Sequence, residues 1–387
     1  MKKQVNKINF IYILSFLGDA LFSPFLALYF SSLGIDDLKK GILLALIPLS
    51  NLAGNLIYGK LSNSMKRNLL IIRILVFMQL IAMSFIGFID NYLLLVIFVI
   101  VFALHNNPFF SFQDGIAVNI TNKENTLYAR TRIFGALGYF IGSFLGGFLI
   151  DLSNFGIVFL ISGLIYALVE VIFFFIKPYE NVKKDEVEKI SFKNVLQHRD
   201  FFLYLVVYIL VIGTWNVSEA YVSLMHKEKG FATSTWGYVF AFQIGVEMIV
   251  IYLINKFFEH KVNYKLVLLI AIIIIFIRSF ILGIEFNIYV KGISQALLRG
   301  IAWGLFLSSH MEIVKRILPK QLITKAILIL AISVNAYATI GNYIAPYIYN
   351  SLSYEWMYFI LMFIQIIGVV VYSLKFIKKK NVKISVQ

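Results

Sequence analysis

Six ionisable residues sit well inside long apolar runs: Asp19, Glu170, Glu219, Glu247, Arg278 and Arg299. A charge at the centre of a bilayer costs about 2.5–3.5 kcal/mol even on the gentlest insertion scale, so each needs a partner or a water-filled cavity. Opposite charges lining a polar cavity within apolar helices can bind a polar solute, take up a proton, or do both. The chemistry implied is translocation.

The elements that must position these residues follow from composition. Hydrophobic residues are 60% of the 387-residue chain and charged residues 14%, with a mean hydropathy of +0.83, outside the range of soluble domains. A spanning helix needs about 20 mostly apolar residues. Twelve runs of that kind are predicted, at 8–32, 39–60, 68–89, 92–117, 129–150, 155–177, 200–225, 235–257, 264–284, 287–315, 321–349 and 353–377. The expected fold is an all-α membrane protein. Its domains are an N-terminal six-helix half over 1–177, a cytoplasmic linker over 178–199 and a C-terminal six-helix half over 200–387. The linker carries Lys183, Lys184, Asp185, Glu186, Glu188 and Lys189.

A net charge of +15 would suit nucleic acid, but its distribution argues otherwise. Lys and Arg crowd the loops on one side of the twelve-span arrangement, whereas Lys39, Lys40, Lys227 and Lys229 alone occupy the opposite loops. The positive-inside rule then puts both termini in the cytoplasm. No nucleic-acid partner is expected. The chain has no cysteine, which excludes disulfides and thiolate metal sites. The first run has the length of a retained helix rather than of a cleaved signal.

An internal repeat supports the two halves. The interval from Gly34 to Gly230 equals that from Gly41 to Gly237 and from Asn51 to Glu247. Gly142 and Asp151 stand in nearly the same relation to Gly341 and Asn350. Parallel six-helix repeats with the substrate site between them describe one large class of secondary transporter.

Longer motifs then become readable. The loop Gly59-Lys60-Leu61-Ser62-Asn63-Ser64-Met65-Lys66-Arg67 resembles the major facilitator signature between spans 2 and 3, with Asn63 where an aspartate is usual. Arg130-Thr131-Arg132-Ile133-Phe134-Gly135-Ala136-Leu137-Gly138-Tyr139 resembles the R-x-R-M-F-G-C-V-G-W segment of lactose-permease-like proton symporters. The resemblance implies a major facilitator fold and assigns sugar-hydroxyl binding to Arg132 and ring stacking to Tyr139. It also implies a sugar-binding carboxylate at Asp114. Asn216-Val217-Ser218-Glu219 resembles the permease D-x-x-D of span 7 with its first acid lost. Glu247 fits the span 8 glutamate of broader relatives that include nucleoside symporters, and Arg278 the span 9 arginine. In span 10, Leu298-Arg299-Gly300-Ile301-Ala302-Trp303 resembles L-H-x-x-E with the histidine and coupling glutamate replaced. Lactose itself is therefore not expected.

Read from the residues alone, several alternatives stay open. At a rise of about 1.5 Å per residue, Arg278 and Glu219 both fall in the outer half of the bilayer, so they can pair. Glu247 and Asp19 lie near mid-span, where desolvation disfavours the ionised form of a lone carboxylate and suits it to carrying a proton. A static ion pair is the other reading of Glu247. Arg132 can equally be an interface anchor, and Tyr139 a packing residue. Asn106 and Asn107, beside Pro108, can bind a hydroxylated solute or mark a helix kink. His105 is most simply a hydrogen-bonded core histidine. Gly138, Gly142 and Gly146 read as a close-packing ladder. Glu170, Arg73 and Arg299 have no assigned role.

The expectation is a monomeric secondary transporter in a bacterial inner membrane, importing a small polar solute of sugar, oligosaccharide or nucleoside class. A proton gradient supplies the energy, with no cofactor and no metal. Substrate contacts are expected at Asp114, Arg132, Tyr139, Asn106 and Asn107, and proton coupling at Glu247, Glu219, Arg278 and Asp19. The rival within transporters is proton-coupled efflux of drugs or metabolites. A channel is disfavoured by the duplicated halves, and an enzyme by the absence of H-E-x-x-H, G-x-S-x-G or P-loop patterns.

Overall fold

Where the apolar runs break is set by local chemistry. The computed structural model describes residues 3–62, 64–177, 179, 192–258 and 263–377. Over these residues the helices are α1 (Lys3–Phe22), α2 (Leu26–Ser32), α3 (Asp37–Leu61), α4 (Met65–Ile86), α5 (Tyr92–Lys123), α6 (Tyr128–Leu152), α7 (Phe155–Phe174) and α8 (Phe192–Leu196). They continue as α9 (Arg199–Tyr208), α10 (Thr214–Glu228), α11 (Thr233–Phe258), α12 (Tyr264–Gly283), α13 (Ile288–Ile317), α14 (Lys320–Ser351) and α15 (Tyr354–Tyr372).

The first predicted run is therefore two helices. Pro24 has no N–H and locks its φ, and the chain passes through a 3₁₀ turn at Ser23–Phe25. The seventh run contains a wide π turn at Ile209–Gly213, a feature that often sits beside functional residues. It directly precedes Trp215, Ser218 and Glu219. Of the predicted linker, 192–196 is α8; Lys183, Lys184, Asp185, Glu186, Glu188 and Lys189 lie outside the described residues, as does Asn63.

Among the described residues, eleven helical spans are long and apolar enough to cross a membrane, with α1 and α2 together forming one of them and α9 and α10 another. The predicted span outside that set is the tenth, α13, a helix of 30 residues. Its apolar surface is interrupted by Lys291, Gln295, Arg299 and His310.

The chain forms two compact units. One comprises 1–187, 220–244 and 342–346; the other comprises 188–219, 245–341 and 347–387. In the first, α6 lies on α1 along the glycine ladder: a Cβ at Gly142 would stand 2.6 Å from the Leu17 carbonyl oxygen, and Gly138 faces the Ile13 backbone. Only glycine permits that approach. The repeat seen in sequence has a conformational counterpart. Gly34 and Gly230 both take positive φ, +66° and +98°, at matching loops, where a side chain would be strained. In the second unit, Trp215, Leu268, Ile272, Ile275, Phe306 and Tyr372 belong to one buried apolar core.

Candidate functional site

In the first unit, α5 and α6 present Asp114 and Arg132 to each other. A single guanidinium nitrogen, Nη1 of Arg132, donates to both carboxylate oxygens at 3.2 Å. The remaining guanidinium nitrogens make no hydrogen bond among the described residues, and the side chain is 48% exposed. The guanidinium stands over the Phe16 ring, 5.8 Å from its centroid. Tyr12 of α1 donates its hydroxyl to Asp114 Oδ1 at 2.5 Å, and the Tyr128 hydroxyl lies 3.5 Å from that of Tyr12. Phe16 also meets Phe110 and Tyr139. The result is a carboxylate and a planar cation, both accessible, beside a cluster of aromatic rings.

Asp19 lies apart from this pair and is buried. Its Oδ1 accepts from Ser23 Oγ at 2.8 Å and from Asn106 Nδ2 at 2.9 Å. Among the described residues no cation pairs with it. Asn107 points elsewhere and accepts from Asn55 Nδ2 at 3.2 Å.

The second unit holds a chain of four alternating charges. Arg299 Nη1 donates to Glu247 Oε2 at 2.6 Å, and Arg299 Nε lies 3.6 Å from Glu219 Oε2. Glu219 Oε1 is bound in turn by Arg278 Nη2. Arg278 is fully buried and spends its other donors on Ser218 Oγ at 2.8 Å and Gln295 Oε1 at 2.6 Å. Beneath the arginines are two stacked indoles. Arg278 stands over Trp215 and Arg299 over Trp303, with the two rings 5.6 Å apart. The chain sums to zero charge, and each carboxylate is compensated, which is what makes four ions tolerable in one apolar unit.

A model of the MFS_1 like family matches residues 5–369. The chain belongs to that family. It is 20% identical over 384 residues to "Uncharacterized transporter YwbF" of Bacillus subtilis (strain 168), covering 96% of this chain and 93% of that one. Its fold is similar to that of the nucleoside transporter NupG, with a TM-score of 0.80 at 10% identity over 96% of this chain and 98% of that one. It is also similar to the POT family transporter PepTSo, with a TM-score of 0.75 at 12% identity over 97% of each chain. This MFS_1-like protein is thus a multi-pass membrane transporter of the major facilitator type.

Within the transporter, two of the expected groupings come together: Asp114 with Arg132, and Glu219 with Arg278. Glu247 differs from the expectation of a lone mid-span acid, because Arg299, two helices further along the chain, supplies its cation. Of the acids expected to couple protons, Asp19 is the one held by neutral donors alone among the described residues. Asn106 joins Asp19, so the two asparagines do not join Asp114 and Arg132 in one contact set. His105 contributes its Nδ1 to a 2.5 Å hydrogen bond with the Val101 carbonyl. Glu170 pairs with Arg73 at 3.1 Å, and Arg73 stacks on Phe174.

Sequence reasoning gave no role to Tyr12, Phe16 and Tyr128 on one side, or to Gln295, Ser218, Trp215 and Trp303 on the other. Gln295 lies four residues before Arg299, one turn away on the same helix face, and that spacing was the available signal. A cation that sequence reasoning also passed over is Lys291, buried with its Nζ donating to the Leu282 carbonyl at 3.1 Å and 3.6 Å from Glu355.

Proposed function

We propose that this transporter is a proton-coupled importer of a small hydroxylated solute, of the sugar, oligosaccharide or nucleoside class. The observation that carries the substrate class is the Asp114–Arg132 pair. Its carboxylate accepts hydrogen bonds from hydroxyls and its free guanidinium nitrogens donate to them, while Phe16, Phe110 and Tyr139 offer apolar ring faces. The likeness of fold to the nucleoside transporter NupG makes a nucleoside the first solute to try.

The coupling reading rests on Arg299. A proton on Glu247 cancels the attraction of its 2.6 Å partner. Arg299 Nε already faces Glu219, so the arginine turns toward that acid and competes with Arg278. The contest loosens the hold of α12 on α10 and α13 through Arg278, Ser218 and Gln295. Binding and protonation are then linked through charge pairing rather than through direct contact. Asp19 is the reserve proton carrier. The energy source is the proton gradient, the membrane is the bacterial inner membrane with both termini cytoplasmic, and no cofactor takes part.

A thermal-shift series on purified protein tests the substrate class. Uridine, galactosides, aromatic acids and cationic drugs are compared. A rise in melting temperature with uridine or a galactoside is expected; stabilisation by the cationic drugs alone would replace import with efflux.

A further inference from the structure

We infer that Tyr12 is a positioning residue for the substrate site, aiming the Asp114 carboxylate so that Oδ2 faces a solute with adjacent hydroxyls. The inference rests on the reading of Asp114 and Arg132 as substrate contacts and names what makes that pair selective.

The argument begins with the freedom of an aspartate. The terminal torsion of Asp is broad and roughly two-fold, so the backbone of α5 does not decide which oxygen points where. Arg132 does not decide it either, since its one engaged nitrogen is 3.2 Å from both oxygens. Tyr12 removes the ambiguity. Its hydroxyl donates to Oδ1 alone, at 2.5 Å, a charge-assisted hydrogen bond of the strong kind. Oδ1 then holds two donors and Oδ2 one. Oδ2 is the oxygen with acceptor capacity left, and Arg132 keeps donor nitrogens uncommitted. A solute bearing two neighbouring hydroxyls, such as the ribose of a nucleoside, can donate to Oδ2 with one and accept from Arg132 with the other.

The surroundings hold Tyr12 to this task. Its ring is fully buried and stacks on Phe16 at 5.7 Å and 19°, the same Phe16 that lies under Arg132. Gly135 of α6 makes the room. A Cβ there would come within 3.0 Å of Phe16 and 3.1 Å of Tyr12, close enough that the rings would have to shift by a few tenths of an ångström. Nearby, Thr131 Oγ1 donates to Asn9 Oδ1 at 2.7 Å. Asn9, Tyr12 and Phe16 thus form one stripe of α1, at helical spacing, facing the motif residues of α6.

Tritiated uridine binding and counterflow provide the test, with 2′,3′-dideoxyuridine as the ligand lacking the adjacent hydroxyls. Tyr12→Phe keeps the ring and deletes the hydrogen bond. Its Kd for uridine should rise about tenfold with the saturated counterflow rate unchanged, while its Kd for dideoxyuridine stays at the wild-type value. In an Asp114→Asn background, Tyr12→Phe should add nothing, because the group it positions is gone. Damage to packing would weaken both ligands and would add in both backgrounds. Uridine binding by Tyr12→Phe equal to wild type, with binding lost in Asp114→Asn, overturns the inference and leaves the site reading intact. Unchanged uridine binding in Asp114→Asn, or none by the wild type, overturns the site reading and this inference with it. Gly135→Ala gives an independent check, since its Cβ presses on the Phe16 and Tyr12 rings without removing the hydroxyl. It too should weaken uridine binding, and a wild-type Kd there counts against the inference.

Discussion

Arg299 stands between two carboxylates, with Nη1 2.6 Å from Glu247 Oε2 and Nε 3.6 Å from Glu219 Oε2. The closer contact makes Glu247 the main partner, and the longer one makes Glu219 the alternative. Removing Arg299 leaves Glu247 as a partly buried charge without its closest cation; removing both members leaves two neutral groups. Arg299→Gln and Glu247→Gln should each lower the melting temperature, and the double variant should lose less than the sum of the two. A coupling of about 0.5–3 kcal/mol is the usual scale for contacting residues. Strictly additive losses in thermal denaturation would mean that the two side chains do not act as a pair.

Arg278 is the structural anchor of the same chain. Replacing it with methionine strips Glu219 of its main cation and leaves Ser218 and Gln295 without their donor. Loss of one partner of a buried pair costs about 3–5 kcal/mol. Arg278→Met should therefore be the most destabilising change in this cluster, read as a drop in melting temperature larger than that of Arg299→Met. Equal melting of Arg278→Met and wild type would remove Arg278 from this role.

How far these contacts could be read from the chain alone varies with their physics. Helix count and the depth of Arg278 and Glu219 follow from apolar run lengths and a fixed rise per residue, so their pairing was within reach. Asp114 and Arg132 were within reach through a motif and a spacing of eighteen residues, the separation at which their hydrogen bonds are found. Arg299 with Glu247 was not. That pair depends on the rotation of α11 against α13 about their own axes, which no periodicity in a single chain sets. Tyr12 was hidden for another reason: a tyrosine in an apolar run reads as packing, and its ring is indeed packed, so only the position of the hydroxyl reveals its use. The π turn at Ile209–Gly213 carries no proline to announce it, unlike the break at Pro24.

Arg132 presents a planar fork rather than a point charge. Lysine keeps the charge and loses the fork, so Arg132→Lys should weaken solute binding as severely as Arg132→Ala, by about tenfold or more. The readout is tritiated uridine binding to purified protein. Wild-type affinity in both variants would return Arg132 to the role of an interface anchor.

Topology can be tested without background labelling, since the chain has no cysteine. In the charge-derived orientation Asp36 faces outward and Lys183 faces the cytoplasm. A membrane-impermeant maleimide added to intact cells should label Asp36→Cys, and should label Lys183→Cys only after the membrane is opened. Labelling of both from outside would contradict the twelve-span arrangement.

The most direct measurement compares wild type with Glu247→Gln in proteoliposomes, using tritiated uridine under an inwardly directed proton gradient. Glutamine keeps the size and hydrogen-bonding capacity of Glu247 and fixes it in the neutral state. The wild type should accumulate uridine above equilibrium and lose that accumulation when a protonophore is added. Glu247→Gln should still exchange uridine across the membrane at equal pH on both sides, yet fail to concentrate it under the gradient. Gradient-driven accumulation by Glu247→Gln at the wild-type level would contradict the assignment and pass the proton to another acid, with Glu219 and Asp19 next to be tested.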